Sequence, residues 1–289
     1  MANGIVIIDK PRDWTSMDVC AKLRGILHTR KVGHAGTLDP MATGVLPVFV
    51  GQATRAVSFA ESGSKEYVAG LQLGLVTNTQ DTSGEVLSRS PVSVGRQELE
   101  AVLPRFTGEI SQLPPMFSAV KVGGKKLYEL ARKGQEVERK PRNITIYALE
   151  ILEQTRPDTW LLRILCSKGT YVRTLCHEIG AALGCGGCMC SLRRTMAAGF
   201  TLDRALTLEE VERLGEAALQ PLDSLFAAHP AYTIRQEKQL RLCRNGNSFP
   251  VPEILAEGTY RIYDAEGSFL CLSRLEGGRM ISLKNFFGG

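Results

Sequence analysis

The sequence predicts an α+β protein with a large part over residues 1–225 and a small part over residues 230–289. Strand-like and helix-like segments mix in the large part without the regular β-α-β rhythm of a doubly wound parallel sheet. No glycine-rich phosphate-binding loop opens any of its helices. The small part is rich in short alternating strands separated by Glu266-Gly267 and Gly277-Gly278, a pattern typical of a small β-barrel or sheet module.

Composition supports a folded protein without membrane spans. The chain has 289 residues, of which 44% are hydrophobic and 22% are charged, as in ordinary globular proteins. The N-terminal apolar run ends at Asp9 and Lys10, and no later run approaches the length of a transmembrane helix. We therefore expect a cytoplasmic protein.

In the first third of the chain, the spacing of apolar residues defines the elements. Helical spacing after Ser16, a candidate N-cap, indicates a helix, and strict alternation after Lys65 indicates a strand. The predicted elements are a strand over 4–8, a helix over 17–27, a strand over 45–50, a helix over 52–61 and a strand over 66–76.

The rest of the large part is predicted in the same way. A turn at Pro157 separates two strands, and Thr207 with Glu210 forms a capping box at the start of a helix. The predicted elements are a helix over 97–106, strands over 116–122, 144–152 and 159–166, a helix over 170–183, a strand over 193–200 and a helix over 207–219.

The small part follows a predicted linker, Ala227-Ala228-His229-Pro230. It begins with a basic helix over 235–245, and its strands are predicted over 259–264, 268–274 and 279–286.

A short loop near the N-terminus carries the most informative residue, Asp39. Pro40 keeps Asp39 out of helical geometry, and Gly33, Gly36 and Gly44 permit tight turns around it. Such a loop can hold one carboxylate outward in a fixed position for catalysis. Asp-Pro also occurs in ordinary turns, so the local pattern leaves both interpretations open.

The net charge of +5 is concentrated in one window, residues 121–142. Clustered positive charge is typical of a surface that binds nucleic-acid phosphates, although a solvated basic face would look the same. Its basic residues are Lys121, Lys125, Lys126, Arg132, Lys133, Arg139, Lys140 and Arg142.

Eight cysteines raise the question of a metal site. Cys185, Cys188 and Cys190 form a C-x-x-C-x-C pattern, with Cys176 and His177 upstream. A structural zinc site usually has two separated ligand pairs, and the second pair is missing here. We therefore expect reduced thiols and no metal.

Three further segments carry polar residues at the ends of predicted elements. Tyr67 opens a strand, Asp81 lies in a polar loop, and Arg173 begins a helix. Taken singly, the three are better explained as a core aromatic residue, a turn former and a surface charge.

Taken together and in order, these motifs closely resemble the TruB family of tRNA pseudouridine synthases over residues 4–221. The small part resembles the PUA-type RNA-binding domain of that family. The motifs are K-P-x-x-x-T-S from Lys10, G-H-x-G-T-L-D-P-x-A-T-G-V-L from Gly33, K-E-Y, T-x-T-x-D-x-x-G, L-P-P-x-x-S-A-V-K, G-T-Y-V-R and L-R-R-T.

The resemblance implies a pseudouridine synthase fold with a mixed, largely antiparallel sheet. It implies that Asp39 is the catalytic aspartate, Tyr67 the active-site tyrosine and Arg173 the partner that pairs with Asp39 in a fork geometry and favours its ionised form. Asn78 and Phe117 depart from the common motif. The residues expected to contact RNA are His34, which enters the RNA, Asp81, Lys10, Tyr171, Lys121, Lys125, Lys126, Arg132 and Arg142.

The implied reaction turns a T-loop uridine of tRNA into pseudouridine after the base is flipped out. It needs no cofactor, because nothing is oxidised and no group is added. The carboxylate either attacks C1′ or assists elimination to a glycal, and the sequence leaves both routes open. The expected partner is the T-arm of tRNA, bound by a monomer. The alternatives are a non-catalytic protein that binds and folds tRNA and a synthase directed by guide RNA; the lack of long basic tails favours action without a guide.

Overall fold

The computed structural model describes residues 2–287, except for the side chain of Lys121. Its strands are β1 (Gly4–Lys10), β2 (Val32–His34), β3 (Thr43–Val50), β4 (Lys65–Leu73), β5 (Leu75–Thr77), β6 (Val86–Arg89), β7 (Gly108–Gln112), β8 (Lys121–Val122), β9 (Lys125–Lys126), β10 (Arg142–Arg156), β11 (Thr159–Cys166), β12 (Gly187–Ala197), β13 (Phe200–Thr201), β14 (Ala231–Thr233), β15 (Phe249–Pro250), β16 (Gly258–Tyr263), β17 (Phe269–Glu276) and β18 (Arg279–Asn285). Its α-helices are α1 (Ser16–Ile26), α2 (Val57–Ser62), α3 (Arg96–Val102), α4 (Leu127–Ala131), α5 (Val172–Ala182), α6 (Leu208–Leu214) and α7 (Glu237–Arg244).

A nine-stranded mixed sheet organises the large part, in the order β1-β3-β12-β4-β11-β10-β7, with β2 beside β3 and β13 beside β12. Its neighbouring strands pair antiparallel, except that β12 runs parallel to β3. This arrangement confirms the predicted α+β class and the largely antiparallel sheet.

Strands β1 and β3 are buried on both faces, which explains their continuous apolar sequences. Val6 and Ile8 of β1 pack with α1 and α6. Ile5 and Ile7 point to the opposite face, where Phe226 and Phe286 join the same cluster. Helix α5 and the segment 99–106 cover the middle of the sheet.

The small part forms its own five-stranded sheet, in the order β14-β16-β17-β18-β15. Phe269 of this sheet and Phe286, which follows its last strand, meet Phe59 of the large part and Phe226 of the connecting segment in an aromatic cluster, with ring centroids 5.4 to 6.4 Å apart. The second sheet confirms the predicted β-rich module, whereas its boundary at residues 225–230 stays a prediction.

The start of α1 differs from the prediction by one residue. Thr15, not Ser16, is the N-cap: its hydroxyl accepts a hydrogen bond from the Asp18 amide, and the Asp18 carboxylate accepts one from the Thr15 amide. Ser16 is free for another contact, and its hydroxyl accepts a hydrogen bond from the Leu38 amide at 2.9 Å. The helix start therefore supports the Asp39 loop.

The predicted strand over 116–122 is wrong except for its last two residues, which form β8. The segment turns because the Ser118 amide bonds to the Met116 carbonyl, while the Ser118 carbonyl accepts from the Tyr128 amide. Two prolines precede it, and proline removes the donors that a strand ladder needs. The prediction missed β2, β6 and β7, joined β4 and β5 into one strand, and placed the start of β12 too late.

Candidate active site

The Asp39 loop joins β2 to β3 and depends on a glycine at the start of β3. Gly44 has φ +102°, and a Cβ there would lie 2.2 Å from the carbonyl oxygen of Arg194. Only glycine allows the parallel strand β12 to approach this closely. The loop is thus set against β12.

Arg194 spans the loop from inside the protein. Its side chain is buried; Nε donates to the Val45 carbonyl at 2.7 Å, and Nη2 donates to the Gly36 carbonyl at 3.0 Å. One guanidinium therefore ties both ends of the loop together. Arg194 is the second arginine of the L-R-R-T motif, for which the sequence predicted no role; its place in that motif was the available signal.

Lys10 binds the loop from the other side. Its side chain is 0% exposed, and Nζ donates to the carbonyls of Pro11 (2.8 Å), Trp14 (2.6 Å) and Pro40 (3.2 Å). Burial lowers the pKa of Lys10 to about 8. The expected RNA contact for Lys10 is therefore corrected: the ammonium group is occupied inside the protein and holds the residue that follows Asp39.

Asp39 and Arg173 form the ion pair expected from the sequence. Arg173 Nε lies 3.0 Å from Asp39 Oδ2, and Nη2 donates to Oδ1 at 3.4 Å, so one edge of the guanidinium faces the carboxylate with two nitrogens. The Arg173 side chain is 8% exposed and that of Asp39 is 37% exposed. The carboxylate is thus bound on one side by Arg173 and accessible to solvent on the other.

The same guanidinium also binds residues of two further loops. Arg173 Nη1 donates to the Thr79 carbonyl at 3.1 Å and lies 3.7 Å from Asp81 Oδ2, and Nη2 donates to the Phe117 carbonyl at 2.8 Å. The departure at Phe117 leaves this contact unchanged, because the backbone carbonyl makes it.

Asp81 lies behind Arg173 with its side chain buried. Its Oδ1 accepts hydrogen bonds from the Thr79 hydroxyl and from the Ser83 amide and hydroxyl, which close a tight polar turn. The nearby departure, Asn78, closes the same hairpin through Glu85. The structure thus gives Asp81 a role in holding Arg173, and its RNA contact stays a prediction.

Opposing effects act on the Asp39 carboxyl. Burial raises its pKa above the usual range for aspartate, and the Asp81 carboxylate raises it further. Arg173 and Lys10 act in the opposite direction. Arg173 thus favours the ionised form as expected, but the net direction is upward.

Tyr67 lies on β4, where it pairs with Ile164 on one side and Arg194 on the other. Burial raises the pKa of its phenol, while the neighbouring Arg194 lowers it. The buried ring faces the same pocket as Asp39. A phenol with a raised pKa stays neutral and can donate as well as accept a hydrogen bond.

These residues line one pocket of about 580 Å³. It brings together Asp39, Tyr67, Arg173 and Tyr171, and Arg142 lies on its rim. The remaining lining residues are Gly36, Thr37, Leu38, Glu61, Lys65, Ser118, Ala119, Asn143, Ile144, Ser167, Lys168, Gly169, Thr170, Val172, Leu192 and Arg194. This geometry places a held carboxylate and a buried tyrosine in the same pocket.

His34 lies on β2, opposite Val48 of β3, and not in the loop itself. Its Nδ1 is buried without a hydrogen-bond partner among the described residues. Burial lowers the pKa of His34, and Arg194 adds to the effect. The imidazole is therefore neutral at pH 7, and its entry into RNA stays a prediction.

The basic window carries exposed charges on a folded excursion between β7 and β10. Lys125, Arg132 and Arg142 are exposed, and Lys126 is partly buried. Lys126 and Arg132 each lie 5.4 Å from the centre of the Tyr128 ring. Lys121 belongs to β8, but its side chain is outside the described part.

The cysteines are free thiols, and most of them are buried. Cys188 and Cys190 lie within β12 rather than in a loop. Over residues 2–287, no three His, Cys, Asp or Glu side chains are grouped to hold a metal ion. In the same range, no helix is long and apolar enough to cross a membrane.

Comparisons with known families match almost the whole large part. Residues 24–172 match the N-terminal domain of TruB family pseudouridylate synthases. Residues 173–227 match the C-terminal domain of tRNA pseudouridylate synthase B.

Individual relatives and solved structures agree with these matches. The tRNA pseudouridine synthase B of Stutzerimonas stutzeri (strain A1501) is 44% identical, over 96% of this chain and 93% of that protein. The protein of the same name from Francisella tularensis subsp. novicida (strain U112) is 41% identical, over 98% of this chain and 95% of that protein.

Among solved structures, a chain of a Cbf5-Nop10-Gar1 complex superposes with a TM-score of 0.74 at 28% identity, over 98% of this chain and 85% of that chain. A chain of an H/ACA RNP bound to a substrate RNA containing 2′-deoxyuridine has the same TM-score at 25% identity, over 99% of this chain and 85% of that chain.

Replacing Lys10 with methionine should destabilise the fold. Methionine fills similar space but removes the donor to three partly buried carbonyls, of which that of Pro40 keeps the Asp13 amide. Each group left unsatisfied costs roughly 1–3 kcal/mol. Chemical denaturation should show a loss of about 2 kcal/mol or more in the free energy of unfolding. Lys31→Met, at an exposed position, should change it by less than about 0.5 kcal/mol. Equal effects of the two substitutions would contradict the buried role of Lys10.

Proposed function

Because the chain belongs to the TruB family of pseudouridylate synthases and is a tRNA pseudouridine synthase, we propose that Asp39 is its catalytic group and that its target is uridine 55 in the T-loop. The observation that carries this proposal is the bidentate ion pair between Asp39 and the buried Arg173. A carboxylate that Arg173 fixes on one side, and that is accessible on the other, suits attack on a sugar carbon.

The reaction exchanges one bond for another within the same nucleotide. The bond between uracil N1 and ribose C1′ breaks, the base turns, and a new bond joins C5 to C1′. The C5 proton then leaves and N1 gains a proton, so the product is an isomer of the substrate. Asp39 either bonds to C1′ or removes a ribose proton to give a glycal, and both routes require its ionised form.

Arg173 keeps the carboxylate oriented and charged. Its guanidinium supplies two donors to Asp39 and two to the carbonyls of Thr79 and Phe117, so it cannot turn away without losing buried hydrogen bonds. Asp81 holds the far side of the same group. Their arrangement supports a positioning role for Asp81 and Arg173.

Tyr67 is proposed to contact the flipped uracil. Tyr67 lines the same pocket as Asp39, and an aromatic face stacks readily on a base. Its neutral phenol can assist the proton transfer from C5 by hydrogen bonding. The side chain of His34, five residues before Asp39, is proposed to occupy the space that the base leaves in the RNA.

We propose that the RNA partner is the T-arm of tRNA, bound without guide RNA by a monomer in the cytoplasm. The exposed basic residues of 125–142 and Arg142 at the pocket rim suit contacts with the phosphates around the flipped nucleotide. The small part, proposed as a PUA-type domain, adds the basic face of α7. A non-catalytic role in tRNA folding is the alternative, and the two roles can coexist.

The decisive test is tritium release from an unmodified tRNA transcript labelled at uracil C5. Wild type should release one tritium per T-loop uridine, and Asp39→Asn should be slower by more than about a thousandfold because the amide is a poor nucleophile. Asp158→Asn is the matched control, because Asp158 precedes β11 at the end remote from the pocket. Tight tRNA binding without release by wild type would favour the non-catalytic alternative.

The acid limb of the pH profile of kcat/KM should report Asp39. Activity rises with pH as this carboxyl ionises in the free enzyme. Asp81→Asn removes a charge that raises the pKa of Asp39, so the limb should move to lower pH. Arg173→Gln removes a charge that lowers it, so the limb should move to higher pH, with much lower activity. Identical limbs in all three proteins would mean that another group controls activity.

Neutralising Lys125, Lys126 and Arg132 to glutamine should weaken tRNA binding. Each lost phosphate contact should reduce the slope of log K against log salt by about 0.7–0.9. A control triple variant at Lys22, Arg96 and Arg105 makes the same change in net charge elsewhere. A titration of binding against salt distinguishes a local contact from general attraction: equal slopes for both triple variants would contradict the assignment.

A further inference from the structure

Gln112 is a buried polar side chain that the reaction itself does not use. It is the last residue of β7, it is 1% exposed, and its backbone pairs with Arg142. Its amide makes two hydrogen bonds with one residue: Oε1 accepts from the Tyr171 amide at 2.8 Å, and Nε2 donates to the Tyr171 carbonyl at 3.1 Å. The Gln112 side chain thus binds both the backbone N–H and the backbone C=O of Tyr171.

The backbone groups of Tyr171 lie at the start of α5. Tyr171 is the N-cap of the helix, and its own side chain makes no capping hydrogen bond. The position of the first turn is therefore set from outside, by Gln112. Arg173 lies two residues further on, in that first turn. A rotation of the helix start would move its guanidinium relative to Asp39.

A second contact fixes the same short segment to the same turn. Five residues after Gln112, the Phe117 carbonyl accepts a hydrogen bond from Arg173 Nη2 at 2.8 Å. Pro114 and Pro115 lie between the two contacts, and their fixed φ angles limit how far the segment can flex. The segment 112–117 therefore joins Tyr171 and Arg173 at two points.

We propose that Gln112 is a positioning residue for pseudouridine formation: its amide fixes the backbone of Tyr171 and thereby aims Arg173 at Asp39. The proposal rests on the proposed roles of Asp39 and Arg173. It also links the catalytic pair to the start of the excursion that carries the basic window, because Gln112 is the last residue before that excursion.

Gln112→Met tests the proposal, because methionine has a similar length but makes neither hydrogen bond. We expect the single-turnover rate to fall at least tenfold, since small displacements of catalytic groups have large effects on rate. The Kd for tRNA should stay within twofold. The acid limb should move to higher pH, because a less well aimed Arg173 lowers the pKa of Asp39 less.

Gln239→Met is the matched control. Gln239 is also a buried glutamine whose amide donates to a backbone carbonyl, that of Pro250, but it lies in the small part. It should leave the single-turnover rate and the acid limb unchanged. If Gln112→Met does not fold, Gln112→Glu decides, because it keeps the acceptor for the Tyr171 amide and loses only the donor. We expect that variant to fold, as seen in its circular dichroism, and to be slowed.

A double-mutant cycle with Arg173→Lys tests whether Gln112 acts through Arg173. The combined loss should be smaller than the product of the two single losses, because the second change finds its target already displaced. A folded Gln112 variant with the wild-type rate, a loss equal to that of Gln239→Met, or fully multiplicative losses would overturn the proposal. Failure of the proposed function looks different: wild type itself would then release no tritium.

Discussion

One buried guanidinium, that of Arg173, is the group on which the site depends. A charge taken out of water is tolerated only when its donors are satisfied, and Arg173 satisfies them with Asp39, Asp81 and the carbonyls of Thr79 and Phe117. These partners come from three loops that are distant in sequence. The same requirement that stabilises the charge therefore determines where the loops meet and gives Asp39 its orientation.

Three other buried cations extend this arrangement. Lys10 and Arg194 hold the two sides of the Asp39 loop, and Lys65 donates to the carbonyls of Glu61 and Gly63. Each binds backbone carbonyls, so their positive charges are not neutralised by carboxylates at contact distance. Of these three cations, Lys10 acts with Arg173 to lower the pKa of Asp39 and so favours its ionised form against the effect of burial.

The sequence allowed the fold class and the Asp39–Arg173 pair to be predicted, because periodicity and ordered motifs carry that information. It could not show that Lys10 is buried, since a lysine at a strand end has the same local pattern whether it faces solvent or a ring of carbonyls. It also could not place Arg194 or Gln112, whose partners lie far away in the chain. The predicted strand over 116–122 was wrong because the Phe117 and Ser118 carbonyls accept hydrogen bonds from Arg173 and from the Tyr128 amide rather than from a neighbouring strand.

The aromatic cluster between the two sheets bears on how the molecule folds. Phe286 and Leu272 of the small part lie in the same core as Ile5 and Phe49 of the central sheet. The two parts are therefore joined by a continuous apolar interior instead of a hydrated hinge. Cooperativity in unfolding should extend across this junction, and a chain shortened at residue 230 would expose Phe59 and Phe226 to water.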